Sequence, residues 1–231
     1  MDNKQVFNKG KKMKKQKHQS YWEEDITEEE CNRWLGDTKS LCKTYAMDYI
    51  KQKGFKSLID CGAGIFTQYD LMIEKKMDLR YVATEITEKF VNLGIEKGIE
   101  IYHCSVEKMN VPDQHCEIAM CIAVLNHQTD FKDSIAELLR IAEKEVIISF
   151  FKPFLEDRSG IGEIRKSINK FPIIKVDKNV GLSIQRHEKF IYTFFRRNAI
   201  KTFLDNLPVR YIFHPLKDKT MMLHIIKEGT L

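Results

Sequence analysis

The sequence predicts an α/β fold, a doubly wound, mostly parallel sheet with helices on both faces, and three observations carry that expectation. Short β-branched and apolar runs alternate with helix-length segments between residues 57 and 151, a glycine-containing turn follows the first run, and the fourth run is almost continuously apolar. Connections long enough for a helix argue for parallel pairing, and an unbroken apolar run argues for a strand covered on both faces. Ligands of such sheets bind beyond the carboxyl ends of the strands.

The elements follow in order. Residues 1–18 hold seven lysines against Asp2, a local charge of +6, while the other 213 residues carry 31 basic and 32 acidic side chains. Residues 1–20 are therefore expected to be a disordered lysine-rich tail, and residues 21–231 a single domain beginning with helices over 21–54. Thr27 to Trp34 reads as a short helix with Glu28, Glu29 and Glu30 at the positive end of its dipole. Asp37 is expected to cap a second helix that runs to about Lys53 with Leu41, Tyr45, Met47, Tyr49 and Ile50 on its apolar face, and Gly54 to stop it.

Strands are expected at Ser57–Cys61, Leu79–Glu85, Ile99–Cys104, Glu117–Ala123 and Glu145–Phe151. Helices are expected at Thr67–Lys76, at Thr87–Lys97 and after Asp133, where Ile135, Leu138, Leu139 and Ala142 recur at i, i+3, i+4, i+7 spacing. The last third is different. Residues 154–192 read as an insertion, with a polar Phe154–Lys170 stretch containing Gly160 and Gly162, then a β-branched and aromatic hairpin over Phe171–Thr193. A helix at Arg197–Leu207 precedes two strands, Val209–Pro215 and Thr220–Lys227, antiparallel because their joining loop is short.

Composition narrows the class. With 43% hydrophobic and 31% charged residues the chain is neither disordered nor fibrous, and its longest largely apolar stretch, Cys116 to Leu125, is too short to span a bilayer. The six cysteines form no CxxC pair and the lysine-rich start leads into no apolar signal core, so the expectation is a cytoplasmic protein with reduced thiols.

The chemistry concentrates at LIDCGAGIF, where Asp60 precedes Gly62 and Gly64. A glycine turn between strand and helix lets backbone N–H groups approach a ligand because no Cβ stands in the way. Thr67 stands where a dinucleotide fingerprint needs its third glycine, which disfavours nicotinamide binding. A second acid, Glu85, ends the next strand, where a carboxylate can accept hydrogen bonds from two ribose hydroxyls.

The runs IDCGAGIF, YVATEI, CSVEKMNVP and EIAMCIAVLNH resemble the successive nucleoside-binding motifs of class I S-adenosylmethionine-dependent methyltransferases, especially the type 11 group. That resemblance covers about residues 55–150 and implies a Rossmann-like seven-stranded sheet with an antiparallel last strand, methyl transfer, and S-adenosylmethionine as cofactor. By position, it implies that Asp60, Gly62, Ala63 and Gly64 surround the methionine part, Glu85 holds the ribose, Ile86 lies against the adenine, and Ser105 and Val106 border its other side. Ala123, Val124, Asn126 and His127 would line the cleft near the reacting methyl. Plainer roles stand beside these: Asp60 ordering the turn, Val106 and Val124 as core, His127 as a surface histidine.

The pattern departs from the family at Phe66, where a third glycine is common, at Ser105, where an aspartate usually meets the adenine amino group, and at Glu117, where the fourth strand usually begins with aspartate. Weaker cofactor affinity is the expected result. Methyl transfer requires an aligned, dry acceptor rather than a universal catalytic residue, and His127 is the candidate general base for a hydroxyl or acidic carbon. AVLNH contains no proline, unlike the (D/N/S)PP(Y/F) motif of base-amine methyltransferases, and no metal-ligand spacing is present. The expected acceptor is a small molecule or glycan. RNA bound through residues 1–18 and a non-catalytic cofactor-binding module are the two rival readings, and neither acceptor atom nor oligomeric state is written in these motifs.

Overall fold

In the computed structural model, the residues described are 22, 26–27, 29, 31–32, 36–37, 40–150, 154–156, 161–187, 190–218 and 220–229. The expected tail, and Tyr21 and Trp34 of the expected N-terminal helices, lie outside them. Ten strands alternate with six helices among the described residues: α1 Leu41–Lys53, β1 Ser57–Cys61, α2 Thr67–Glu74, β2 Arg80–Glu85, α3 Glu88–Glu96, β3 Glu100–His103, β4 Cys116–Cys121, α4 Lys132–Ile141 and β5 Ala142–Phe150. There follow α5 Ile161–Lys170, β6 Ile173–Asp177, β7 Gly181–His187, β8 Phe190–Phe195, α6 Arg197–Leu204, β9 Val209–Pro215 and β10 Met221–Lys227.

Seven strands form one sheet in the order β3-β2-β1-β4-β5-β10-β9. The first five pair in parallel, and β10 runs antiparallel to both β5 and β9. The winding reverses between β1 and β4, and that switch opens a crevice above their carboxyl ends. β1, β2, β4 and β5 are buried along most of their length, on both faces, which is why they read as continuous apolar runs. On β1, Leu58 faces Ala46, Met47 and Ile50 of α1 and Leu71 of α2, whereas the next residue, Ile59, belongs to the core with Ile135 and Leu138 of α4 and Ile200 and Leu204 of α6. This is the Rossmann-like, doubly wound arrangement the motifs imply.

Four local expectations need correction. The helix expected from Asp37 begins at Leu41 with Ser40 as N-cap, and Leu41 is 43% exposed. Its buried face is Cys42, Lys43, Ala46, Met47 and Ile50, because the helix docks on the sheet one position round from the expected stripe. Asp133 lies inside the first turn of α4, and Asp130 Oδ1 instead accepts the N–H groups of Phe131 and Lys132 at 2.7 and 3.1 Å. The polar 154–170 stretch contains α5, whose Ile164 packs with Ile184, Tyr192 and Phe194; its Ile161, Ile164, Ile168 spacing is helical, but Gly160 and Gly162 mask it. The expected hairpin is a separate three-stranded antiparallel sheet, β6-β7-β8. Gly54 does stop α1, in a left-handed conformation with its N–H on Ile50 O and Lys51 O.

Candidate functional site

A cavity of about 260 Å³ lies over the crevice between β1 and β4. Its floor is the turn after β1, where Gly62 and Ala63 both donate to Thr84 O of β2, at 2.9 and 3.1 Å, and so lean toward the second strand. Gly62 has φ +76°, and a Cβ there would stand 2.5 Å from Val124 Cγ2. Only glycine allows the two strand ends to approach this closely.

Phe66 also has positive φ, +66°, but its ring turns away from the cavity into the core. It meets α3 at Gly94, where an added Cβ would lie 2.7 Å from Phe66 Cζ. The glycine missing from the turn is thus matched by a glycine on the facing helix, and close packing is retained. Glu117 is likewise remote from the cavity; it receives Lys144 Nζ at 2.6 Å and stitches β4 to β5 at their far ends. Two of the three departures from the family pattern therefore do not touch the site.

Glu85, 6% exposed, is the best-held polar side chain of the cavity. Its Oε2 accepts Gly64 N–H at 2.9 Å, and its Oε1 accepts Ile86 and Thr87 N–H at 2.8 and 2.9 Å. A carboxylate has about four lone-pair sites, so three amides fix its plane and leave room for about one hydroxyl. His103 donates from Nε2 to Ile86 O at 2.9 Å and steadies the adjoining backbone. Ile86, Ser105 and Val106 continue the wall. The Ser105 loop is held from outside by Arg140, which donates to Met109 O at 2.9 Å, Val111 O at 2.7 Å and Asp113 Oδ1 at 2.6 Å.

The opposite wall follows β4. Ala123 adopts φ +65°, a strained conformation for a non-glycine residue, with its N–H on Ser149 Oγ at 2.9 Å. The 3₁₀ turn Leu125–His127 comes next, and β8 of the small sheet lies against it. Asn126 Nδ2 donates to Thr193 O at 2.8 Å, and Thr193 Oγ1 donates to Gln128 O while facing Ser183 Oγ at 2.8 Å. His127 Nδ1 lies 3.3 Å from Ile191 O, and because a carbonyl only accepts, Nδ1 is the donor of this contact. The ring is flanked edge-on by Trp22 and Tyr192, each with a centroid 6.3 Å away.

Ten of the twelve residues singled out in the sequence line this one cavity. Asn126 and Asp60 are the exceptions: Asn126 is 3% exposed and turned to Thr193 O, while Asp60 is 1% exposed beneath the turn, accepts Tyr81 OH on Oδ2, and burial pushes its pKa up to about 7. Sequence reasoning missed Lys43 and Gln68, which also line the cavity and are 8% and 2% exposed. A lysine within the apolar face of α1 is the signal that marks the first. The donor and acceptor groups fit a nucleoside cofactor: an anchored carboxylate for ribose, an apolar and hydroxyl wall for a base, and a side-chain-free turn between them.

Residues 59–150 match the family profile of a methyltransferase domain. A protein of Pyrococcus horikoshii has a similar structure, with TM-score 0.62 and 12% identity over 90% of this chain and 96% of that one. An S-adenosylmethionine-dependent methyltransferase of Clostridium acetobutylicum has TM-score 0.60 and 8% identity over 86% and 96%. The Burkholderia thailandensis 1,6-didemethyltoxoflavin-N1-methyltransferase, solved with 1,6-didemethyltoxoflavin and S-adenosylhomocysteine, has TM-score 0.55 and 14% identity over 84% and 83%. At these identities the likeness is one of fold. No curated protein matches the sequence.

Proposed function

We propose that this chain, whose residues 59–150 match the methyltransferase-domain profile, is an S-adenosylmethionine-dependent methyltransferase that methylates a small-molecule or glycan acceptor in the cavity between β1 and β4. The observation that carries the reading is Glu85, presented to the cavity by three backbone amides beside the Gly62–Gly64 turn. Glu85 takes a ribose hydroxyl, Ile86, Ser105 and Val106 border the adenine, and Gly62, Ala63, Gly64 and Ala123 border the methionine part. Asp60 acts from below by setting the turn. S-adenosylmethionine, when bound, supplies an already activated sulfonium methyl group.

The rest falls to the protein. His127 takes the proton of an acceptor hydroxyl or acidic carbon, a role supported by its place in the cavity lining and by the Nδ1 contact to Ile191 O, which orients the ring. Trp22 and β8 screen that side from water and so favour aligned displacement. The modest cavity supports a small acceptor over a polymer chain. Among the described residues no helix is long and apolar enough to cross a membrane, and six buried free thiols suit a reducing, cytoplasmic compartment.

Calorimetry with S-adenosylhomocysteine, followed by transfer from methyl-labelled cofactor into a fractionated extract, tests this. Heat of binding and label in the small-molecule or glycan fraction are expected. Label confined to RNA replaces the acceptor class, and absence of binding ends the reading. In His127→Ala, turnover should fall at least 10-fold and the acidic limb of the pH profile should disappear, with cofactor affinity within about twofold. An unchanged profile removes the base.

A further inference from the structure

Positive charge is spread unevenly over the fold. Residues 161–187, which form α5, β6 and β7, carry six basic side chains and two acidic ones. Elsewhere surface cations sit beside carboxylates, as in Lys75–Asp48, Arg80–Glu100, Lys97–Asp70 and Lys144–Glu117. In this region Lys175 Nζ donates to Thr129 O at 3.4 Å, and among the described residues Arg165, Lys166, Lys170, Lys178 and Arg186 have no carboxylate partner.

The same surface is apolar along a strand edge. β6 is an outer strand of the small sheet, and its Ile173, Ile174 and Val176 are 46, 42 and 64% exposed. Ile173 stands opposite Ile184 and Val176 opposite Leu182, so both share the face on which Ile164 and Ile168 of α5 pack, yet the helix leaves them open. The register shifts between Ile173 and Lys175, which leaves Lys175–Asp177 as the regular part of the edge. Asp177 O accepts Val180 N–H at 3.2 Å inside the β6–β7 turn, and by strand alternation Val176 N–H and C=O point away from β7 to the open side.

An open strand edge, aliphatic side chains beside it and unpaired cations around it suit one kind of partner. We propose that β6 is a docking edge for an extended acidic protein segment that carries apolar residues at alternate positions and adds to the small sheet as a fourth strand. Main-chain hydrogen bonds to Val176 set its register, its apolar side chains cover Val176, and its carboxylates answer the surrounding cations. Two other anionic partners fit less well. A lipid surface would take Val176 N–H and C=O into a phase that leaves them unpaired. RNA needs rings for its bases, and the ring of Phe171 is already covered by Lys170 Nζ and the Arg186 guanidinium, each 5.4 Å from its centroid. The docking edge does not depend on the methyl-transfer reading, but it is joined through β7 to β8, the strand that holds Asn126 and His127.

The probe is a labelled heptapeptide of alternating glutamate and valine, titrated into the full chain and followed by fluorescence anisotropy, with a peptide of alternating lysine and valine as control. The acidic peptide should bind at least about 10-fold more tightly and weaken as salt is raised. Hydrogen exchange at the Val176 amide should slow by about 10-fold or more at saturation. Lys178→Glu should weaken binding by about threefold or more. Val176→Pro, which deletes an N–H that an edge strand can spare, should weaken it by about 10-fold or more. Equal affinity for the two peptides, no change at the Val176 amide, or wild-type binding by Val176→Pro overturns the proposal. So does binding of phosphatidylserine vesicles or polyuridylate in preference to the acidic peptide, which assigns the surface to lipid or RNA. If Val176→Pro does not fold, exchange of the wild-type Val176 amide decides. Absence of any binding overturns the docking edge and leaves the methyltransferase reading to its own test with S-adenosylhomocysteine.

Discussion

The two walls of the cavity are built by different means. On the proposed nucleoside side, Glu85 is held by Gly64, Ile86 and Thr87, partners 21, 1 and 2 positions away. On the proposed acceptor side, Asn126, His127 and Gln128 are held by residues of β8 that lie 67, 64 and 65 positions away. The first wall is a property of two neighbouring strand ends and persists wherever that motif is kept. The second exists only once the inserted sheet has docked, so acceptor choice can change with the insertion while the cofactor wall stays intact.

The sharpest way to break the first wall is Gly62→Ala. Its Cβ would meet Val124 Cγ2 at 2.5 Å in a positive-φ conformation, so binding of S-adenosylhomocysteine should fall by about 100-fold or more and stability by about 1–3 kcal/mol. Adding Val124→Ala removes the clash but not the φ strain, and calorimetry with thermal melting should find partial recovery. Glu85→Gln follows, because one oxygen becomes an NH₂ that cannot accept from the facing amides. Affinity should drop by roughly 10- to 100-fold, measured by the same titration.

Thr193→Val probes the second wall. It deletes the hydroxyl between Gln128 O and Ser183 Oγ, and turnover should decrease by roughly 3- to 30-fold at unchanged cofactor affinity. Equal loss of both would mean that the walls are mechanically one unit. The smallest effect concerns the support below the turn. Asp60 has its pKa raised from 3.8 to about 7, so its neutral form is favoured in the folded state. Its contribution is complete below about pH 4 and is lost as pH rises through 7. Asp60→Asn, which keeps a partner for Tyr81, should therefore gain stability relative to wild type between pH 5 and pH 8, read as a closing or reversal of the difference in melting temperature.

Much of the architecture was legible because parallel strands buried on both faces and amphipathic helices leave periodic traces over short windows. Ser57–Cys61, Val209–Pro215 and the start of α2 at Thr67 match the expected limits. The α1 apolar stripe was misjudged because Leu41, Tyr45 and Tyr49 are apolar enough to suggest a core face. In the fold, Tyr45 and Tyr49 instead reach the buried polar pair His224 and Glu145, at 3.0 and 2.8 Å. Helix α5 was hidden because two glycines lower local propensity that packing against β7 and β8 outweighs.

The sequence by itself determined the order of strands and helices from β1 to β5, the glycine turn and the acid at position 85, because each depends on neighbours within one or two elements. Tertiary structure alone decided that Phe66 finds its space at Gly94, that β8 orients His127, and that Lys43 and Gln68 line the same cavity as Glu85. Those outcomes depend on contacts between segments far apart in the chain. Local periodicity carries no record of which distant surface a side chain will face once the layers close.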